Sequence, residues 1–204
     1  MPTVIEECYH YRCAETSDIN EHLPTLYRHS LECAHITECG VRSVVSSYAF
    51  AYALLGRQGT KLVQVDPFKS REVEIFQEQC EANGISTVFH EKSDLESPLE
   101  DTDLLFIDTW HVYGQLKREL ARWHSYAKKY IIMHDTEIDA IRGESARDGH
   151  NMQKQSEESG IPVEEINKGL WPAVEEFLAE HPEWVIHEKH VNNNGLTVLR
   201  RVAA

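Results

Sequence analysis

The chain has 204 residues, enough for one domain with a sizeable core, and carries 34 acidic against 20 basic side chains, a formal net charge of −14. That balance opposes a phosphate backbone, so nucleic acid is not an expected partner. The longest apolar stretch, Tyr48 to Leu55, is too short to span a bilayer, and Met1 to Glu7 lacks the basic and apolar parts of a secretory signal. The five cysteines (Cys8, Cys13, Cys33, Cys39, Cys80) form no CxxC pair. Together these features predict a cytoplasmic protein with free thiols and no membrane partner.

Residues 1–16 show no clear periodicity and read as loose. Ser17-Asp18 followed by Glu21 is a capping-box pattern, which predicts a helix to about Cys33 with Ile19, Leu23, Leu26 and Leu31 on its apolar face. His35 to Gly40 reads as a first strand running into a glycine turn, and Ser43 to Leu55 as a helix closed by Gly56. Lys61 to Asp66 is a second strand stopped by Pro67, and Ser70 to Ala82 a helix ended by Asn83-Gly84. Ser86 to His90 and Asp103 to Asp108 are strands three and four. Gln115 to Ala127 is a helix, and Lys129 to His134 strand five. Residues 137–170 are polar with few apolar anchors, as in an insertion or lid. A helix from Trp171 to about Glu180 follows. Two strand-like runs, Trp184 to His190 and Leu196 to Arg200, flank Asn192-Asn193-Asn194-Gly195, a hairpin signal. Alternating strands and helices with a terminal hairpin predict an α/β, Rossmann-like, doubly wound sheet of seven strands, mostly parallel, with helices on both faces. The chain is expected to form a single domain over 1–204, with 1–34 as an N-terminal helical extension.

The chemistry concentrates in two short signatures, Asp108-Thr109-Trp110-His111 and His134-Asp135. Each follows a buried-strand pattern, Leu104 to Ile107 and Tyr130 to Met133. In an open α/β sheet the carboxyl ends of parallel strands line the ligand crevice, so two carboxylates and two imidazoles converge. Asp108, His134 and Asp135 suit a divalent cation, with carboxylates favouring Mg²⁺ or Mn²⁺ and the imidazole tilting toward Mn²⁺. The same acids could simply cap the following helices. His111 has the pKa range of a general base, and Trp110 can wall a pocket or anchor the core. Gly40 at the end of the first strand allows close approach to the backbone, and Asp66 at the end of the second can hold the hydroxyls of a ribose. In the insertion, Arg142, Arg147, His150 and Asn151, with Trp171 just beyond it, are candidates for substrate contact.

In this order of features the chain resembles class I S-adenosylmethionine-dependent methyltransferases. More narrowly, it resembles the small metal-dependent, catechol-type O-methyltransferases and the sugar O-methyltransferases related to them. The likeness covers roughly residues 35–201. It implies that Glu38 and Gly40 form the cofactor turn and that Ser46 helps hold the methionine carboxylate. Asp66 then binds the ribose, and Ser93 and Asp94 flank the adenine. Asp108-Thr109-Trp110-His111 looks like the family's Asp-x-Trp-Lys, with histidine in place of lysine, and the metal pair falls on His134 and Asp135. Two departures stand out: the family's second glycine falls near Val44, and an Asp usually stands where His134 stands. The segments Ser17 to Glu21 and Gly40 to Ser43 look like small methyltransferases of viral and bacterial glycan-decoration systems, which favours a sugar or glycan acceptor. The expected activity is methyl transfer from S-adenosylmethionine to a hydroxyl, with a divalent cation assisting and His111 as base. The alternatives are a metal-independent small-molecule O-methyltransferase, a dinucleotide oxidoreductase (disfavoured because no full GxGxxG follows strand one) and a non-catalytic nucleoside-binding module. The N-terminal helix could cover the cofactor or equally serve a homodimer.

Overall fold

The computed structural model describes residues 2–202. Its centre is a seven-stranded sheet in the order β3-β2-β1-β4-β5-β7-β6. Strands β1 (His35–Cys39), β2 (Lys61–Asp66), β3 (Ser86–Glu91), β4 (Thr102–Ile107) and β5 (Ala127–His134) are parallel. β7 (Leu196–Arg201) runs antiparallel between β5 and β6 (Trp184–His190). The chain winds outward from β1 to β3, then restarts at β4 on the other side. That reversal puts the crevice between β1 and β4, at the carboxyl ends of the strands.

Helices cover both faces. On one lie α1 (Val4–Ala14), α2 (Leu23–Ser30), α3 (Val45–Leu54) and α4 (Arg71–Ala82), with a core containing Leu26, Ile36, Phe50, Phe76 and Phe106. On the other lie α5 (Tyr113–Trp123) and α9 (Trp171–Glu180), with Leu105, Leu120, Trp123, Ile131 and Phe177. Among the described residues no helix is long and apolar enough to cross a membrane.

The sequence expectations need three corrections. First, residues 4–14 are helical. The Thr3 hydroxyl accepts from the Glu6 amide, Glu6 and Glu7 sit in the first turn, and Arg12 in the last. The pattern escaped detection because only Ile5 and Tyr9, four apart, are buried, while Val4 and Tyr11 stay exposed. Second, no continuous helix runs from 17 to 33. Ser17 Oγ accepts from the Asn20 amide at 3.0 Å, but only a 3₁₀ turn, Asn20–His22, follows before α2 begins anew with Pro24 in its first turn. Proline has no amide to donate, which makes it a starting residue rather than a mid-helix one. Leu31, expected on the apolar face, is exposed, while Ile19, Leu23 and Leu26 are buried.

Third, the insertion is structured. It holds α6 (Glu144–Arg147), α7 (Met152–Ser159) and α8 (Val163–Asn167), and a bridge between Arg142 and Lys168 closes its base. Its anchors are few but sufficient: Ile161 and Ile166 pack on Val112, with Trp110 and Met152 alongside. The hairpin turn falls as expected, with Asn193, Asn194 and Gly195 all at positive φ.

Candidate active site

The turn after β1 is strained and crowded. Gly40 has φ +85, and a Cβ there would lie 1.9 Å from the Asp108 carbonyl oxygen, so only glycine lets β1 and β4 approach at this level. Arg42 (φ 43) and Val44 (φ 56) are also left-handed, without glycine's freedom. Asp66 holds the turn from the next strand. Its Oδ2 accepts from the amides of Val41 (2.9 Å) and Arg42 (3.1 Å), and its Oδ1 accepts from Phe68 (2.9 Å).

Two cavities open here. The larger, about 630 Å³, runs along the ends of β1 to β4 and is lined by Gly40, Asp66, Phe68, Ser93, Asp94 and Trp110, among others. Beneath it lies a buried polar network. Gln115 Nε2 donates to Asp94 Oδ1 (3.1 Å) and to Glu119 Oε1 (2.8 Å), and the Thr109 hydroxyl donates to Glu119. Burial, then the adjacent Asp94 charge, pushes the Glu119 carboxyl well above its ordinary range. Asp94 Oδ2 and Glu119 Oε2 are buried there without a hydrogen-bond partner.

The smaller cavity, about 230 Å³, is walled by Asp18, Arg42, Ser46, His111, Asp135 and Glu144, among others. Among them, Arg42 Nη2 donates to both carboxylate oxygens of Asp18, at 3.0 and 2.8 Å. Gly40, Arg42, Asp108, Thr109 and Glu144 line both cavities, so the two meet at Asp108.

At that junction His111 sits among acids. Its Nε2 is 3.1 Å from Asp108 Oδ1 and 3.1 Å from Asp135 Oδ2, and its Nδ1 is 2.7 Å from Glu144 Oε2. Burial alone would lower its pKa, but Asp108, Glu144 and Asp135 raise it well above the ordinary imidazole value. His134 Nδ1 lies 3.3 Å from Asp108 Oδ1 and 3.0 Å from Asp135 Oδ2, while its Nε2 donates to the Asn193 carbonyl at 3.2 Å. Burial opposes protonation here too, yet the facing carboxylates push His134 up to about 10. Asp108 shows the converse. Its burial would raise the carboxyl, but His134 and His111 hold it far below the usual range. Asp135 is itself left-handed (φ 56) and buried, a strained position fixed by its surroundings.

The donor set suits a divalent cation. Asp108 and Asp135 each present a carboxylate oxygen within 4.8 Å of the other and of a His111 nitrogen. His134 faces them through Nδ1 while the Asn193 carbonyl fixes its other nitrogen, the usual way a protein orients a histidine ligand. A proton and a cation would compete for that Nδ1 lone pair.

No family model matches the sequence, and no curated protein matches it. Solved structures do. An O-methyltransferase from Bacillus cereus in complex with SAH superposes with a TM-score of 0.60 at 14% identity, covering 97% of this chain and 90% of that one. The O-methyltransferase TomG from Streptomyces achromogenes, in complex with SAM, gives 0.59 at 13% identity over 93% and 82%. An SAH-bound methyltransferase from Podospora anserina gives 0.56 at 13% identity over 100% and 89%. The chain has the fold of the class I S-adenosylmethionine-dependent O-methyltransferases.

On this methyltransferase fold the expected residues separate. Gly40, Asp66, Ser93, Asp94 and Trp110 line the larger cavity. Asp108, His111, His134 and Asp135 form one cluster. Ser46 lines the smaller cavity, but its hydroxyl donates to Glu38. Glu38 lines neither of these cavities. It is fully buried and accepts from Ser46 (2.5 Å), Ser47 (2.7 Å) and Gln64 (3.0 Å). Burial still pushes its pKa up to about 7, against three bonds that favour the charge. It therefore braces β1 against α3 and β2.

Of the insertion candidates, Arg147 is tied to Asp139 and Asn151 caps α7. Trp171 lies under Lys189, its ring centre 3.9 Å from the ammonium. Arg142 pairs with Lys168 by backbone only, and His150 lines a shallow depression beside Trp110 and Glu144. Sequence reasoning missed Glu144, Arg42, Phe68 and the Gln115–Glu119 pair. The last had a signal: two polar residues four apart beside the Leu116–Leu120 stripe, on the buried side of a helix. Glu144, one acid in a polar insertion, had none.

Proposed function

We propose that the protein transfers a methyl group from S-adenosylmethionine to a hydroxyl of a sugar or glycan. The carrying observation is the meeting of two cavities at Asp108, one of a size for the cofactor and one small and polar. The larger cavity takes the adenosyl part, with Asp66 at the ribose, Ser93 and Asp94 toward the adenine, and the ring of Phe68 exposed at the rim. Gly40 lets the methionine part approach the backbone, and Ser46 stands nearby.

The acceptor lies in the smaller cavity. Its walls offer Asp18, Arg42, Ser43 and Glu144 to hydroxyls and only short aliphatic side chains for packing, which suits a sugar better than an aromatic ring. A divalent cation held by Asp108, Asp135 and His134 would lower the pKa of a bound hydroxyl and neutralise the acids around His111. In its unprotonated form His111 Nε2 accepts the hydroxyl proton, and Glu144, 2.7 Å from Nδ1, holds the ring in place. The oxygen then attacks the sulfonium methyl in line, the methyl–sulfur bond breaks and S-adenosylhomocysteine leaves as the neutral thioether, and positioning by the two cavities supplies much of the rate.

A metal-independent transfer is the second reading, and one observation favours it. His111 Nε2 stands 3.1 Å from both Asp108 Oδ1 and Asp135 Oδ2, so the two carboxylates can stabilise the imidazolium that forms once His111 has taken the hydroxyl proton, without a metal.

The first experiment is calorimetric titration of S-adenosylhomocysteine into the full chain, followed by methyl-transfer assays on sugars and catechols with Mg²⁺, Mn²⁺ or chelator. Micromolar binding and transfer to sugars that chelator abolishes support the proposal. Transfer that survives chelation supports the second reading, transfer to catechols alone overturns the sugar assignment, and absence of binding in folded protein overturns both readings.

A further inference from the structure

Outside the two cavities, three ligand-type side chains gather where α2 meets the edge strand β6. The sequence of β6 would not bring them together by itself. Alternation along a strand sends His187 and Glu188 to opposite faces. The register, however, passes from Ile186 opposite Leu199 to Glu188 opposite Val198, so His187 is an extra, bulged residue. A bulge re-aims its side chain, and here it turns the His187 ring toward His29 of α2, with ring centres 5.7 Å apart.

His29 is the second observation. Its side chain is only 3% exposed, and its Nε2 is buried without a hydrogen-bond partner. It lies 3.2 Å from Glu188 Oε1, in range for an ion pair but outside hydrogen-bond geometry. His187 Nε2 is 3.8 Å from the same oxygen, and all three ligand atoms lie within 4.8 Å of one another. Bonds of about 2.0 Å to a tetrahedral centre place ligand atoms roughly 3.3 Å apart, so little movement is needed to close on an ion.

We propose that His29, His187 and Glu188 form a zinc-class metal site that fastens α2 to the edge strand β6. Two imidazoles and one carboxylate select Zn²⁺-like ions over Mg²⁺, and three protein ligands leave one position for water. Arg28 now holds both Glu188 oxygens, at 2.9 and 2.7 Å, and His190 Nε2 stands 3.1 Å from Oε2. On metal binding Oε1 passes to the ion, and Arg28 and His190 keep Oε2. The carboxylate is then oriented from behind, as ligating carboxylates usually are. The site is independent of the cluster at Asp108 and of the proposed transfer reaction.

The test is titration of ZnCl₂ into the chelator-treated full chain. An Asp108→Asn/Asp135→Asn/Glu144→Gln background breaks both candidate ligand groups at the crevice. That background should still bind one zinc per chain and gain thermal stability from it. Adding His187→Ala, an exposed position that does not threaten folding, should weaken this binding by about 100-fold or more and abolish the stabilisation. His29→Gln should act in the same direction. As a check free of the crevice substitutions, His187→Ala alone should bind one zinc fewer than the wild type. Unchanged zinc affinity in both His187→Ala proteins, or no zinc bound by the crevice variant while folded, overturns the site.

Discussion

The larger cavity opens along the ends of β1 to β4 and the turns that follow them, whereas the smaller draws charged side chains from five separate segments. Gly40, Asp66 and Ser93 stand at or just beyond the ends of consecutive strands, and main-chain hydrogen bonds, Gly40 to Val65, Lys92 to Asp66 and Glu96 to Ser93, fix their places. Asp18, Arg42, His111, Asp135 and Glu144 come from the N-terminal region, the first turn, the ends of β4 and β5, and the insertion. One half is a product of topology. The other is a balance of charge, in which His111 and the carboxylates of Asp108 and Glu144 shift one another's pKa. A scaffold of the first kind serves many acceptors, and variation of the second kind chooses among them.

Substitutions at the junction and in each half test that contrast. Asp108→Asn should have the largest effect. It removes a proposed ligand and the partner of both histidines, so methyl transfer should fall by about 10²–10³-fold in a single-turnover assay. S-adenosylhomocysteine affinity should fall far less. Equal losses in both would break the division between the halves.

Gly40→Ala should destabilise the protein by about 3 kcal/mol or more in denaturant titration, because its Cβ meets the Asp108 backbone and its φ is positive. Near-wild-type stability would show that β1 and β4 can separate at no cost, contrary to a rigid cofactor half.

Glu38→Gln tests the brace under that half by pH. Glu38 titrates near 7 when folded against an ordinary value of 4.5. A raised acid favours the fold at low pH, and that contribution is lost as pH rises from 4.5 through 7. The wild type should therefore lose up to about 3 kcal/mol relative to Glu38→Gln across that window. Parallel stability curves would mean that the three donor bonds fully compensate burial.

Asp66→Ala should give the smallest effect. Removing a carboxylate that anchors three amides and faces the proposed ribose should weaken S-adenosylhomocysteine by about 10–100-fold in calorimetry. Chelator dependence of the transfer reaction should not change. If it does, the halves are coupled through the Val41–Arg42 turn.

The sequence by itself determined the sheet, its winding and the strand-end residues. Runs such as Leu104 to Ile107 are short, wholly apolar and stop abruptly at polar residues, as buried parallel strands do, and the chain order of strand and helix then places Gly40, Asp66, Asp108 and Asp135 at one edge. The Asn-Gly turn likewise fixes its hairpin locally. Tertiary structure decided the rest. Helix α1 has too few buried residues to announce itself and forms by packing on α2 and α3. Glu38 points into the core because Ser46, Ser47 and Gln64 meet it there. Glu144 and Arg42 join the cluster only when the insertion and the first turn fold over the sheet. His29 meets His187 only because a bulge turns one ring. Each of these depends on contacts between segments far apart in the chain, and no local pattern carries that information.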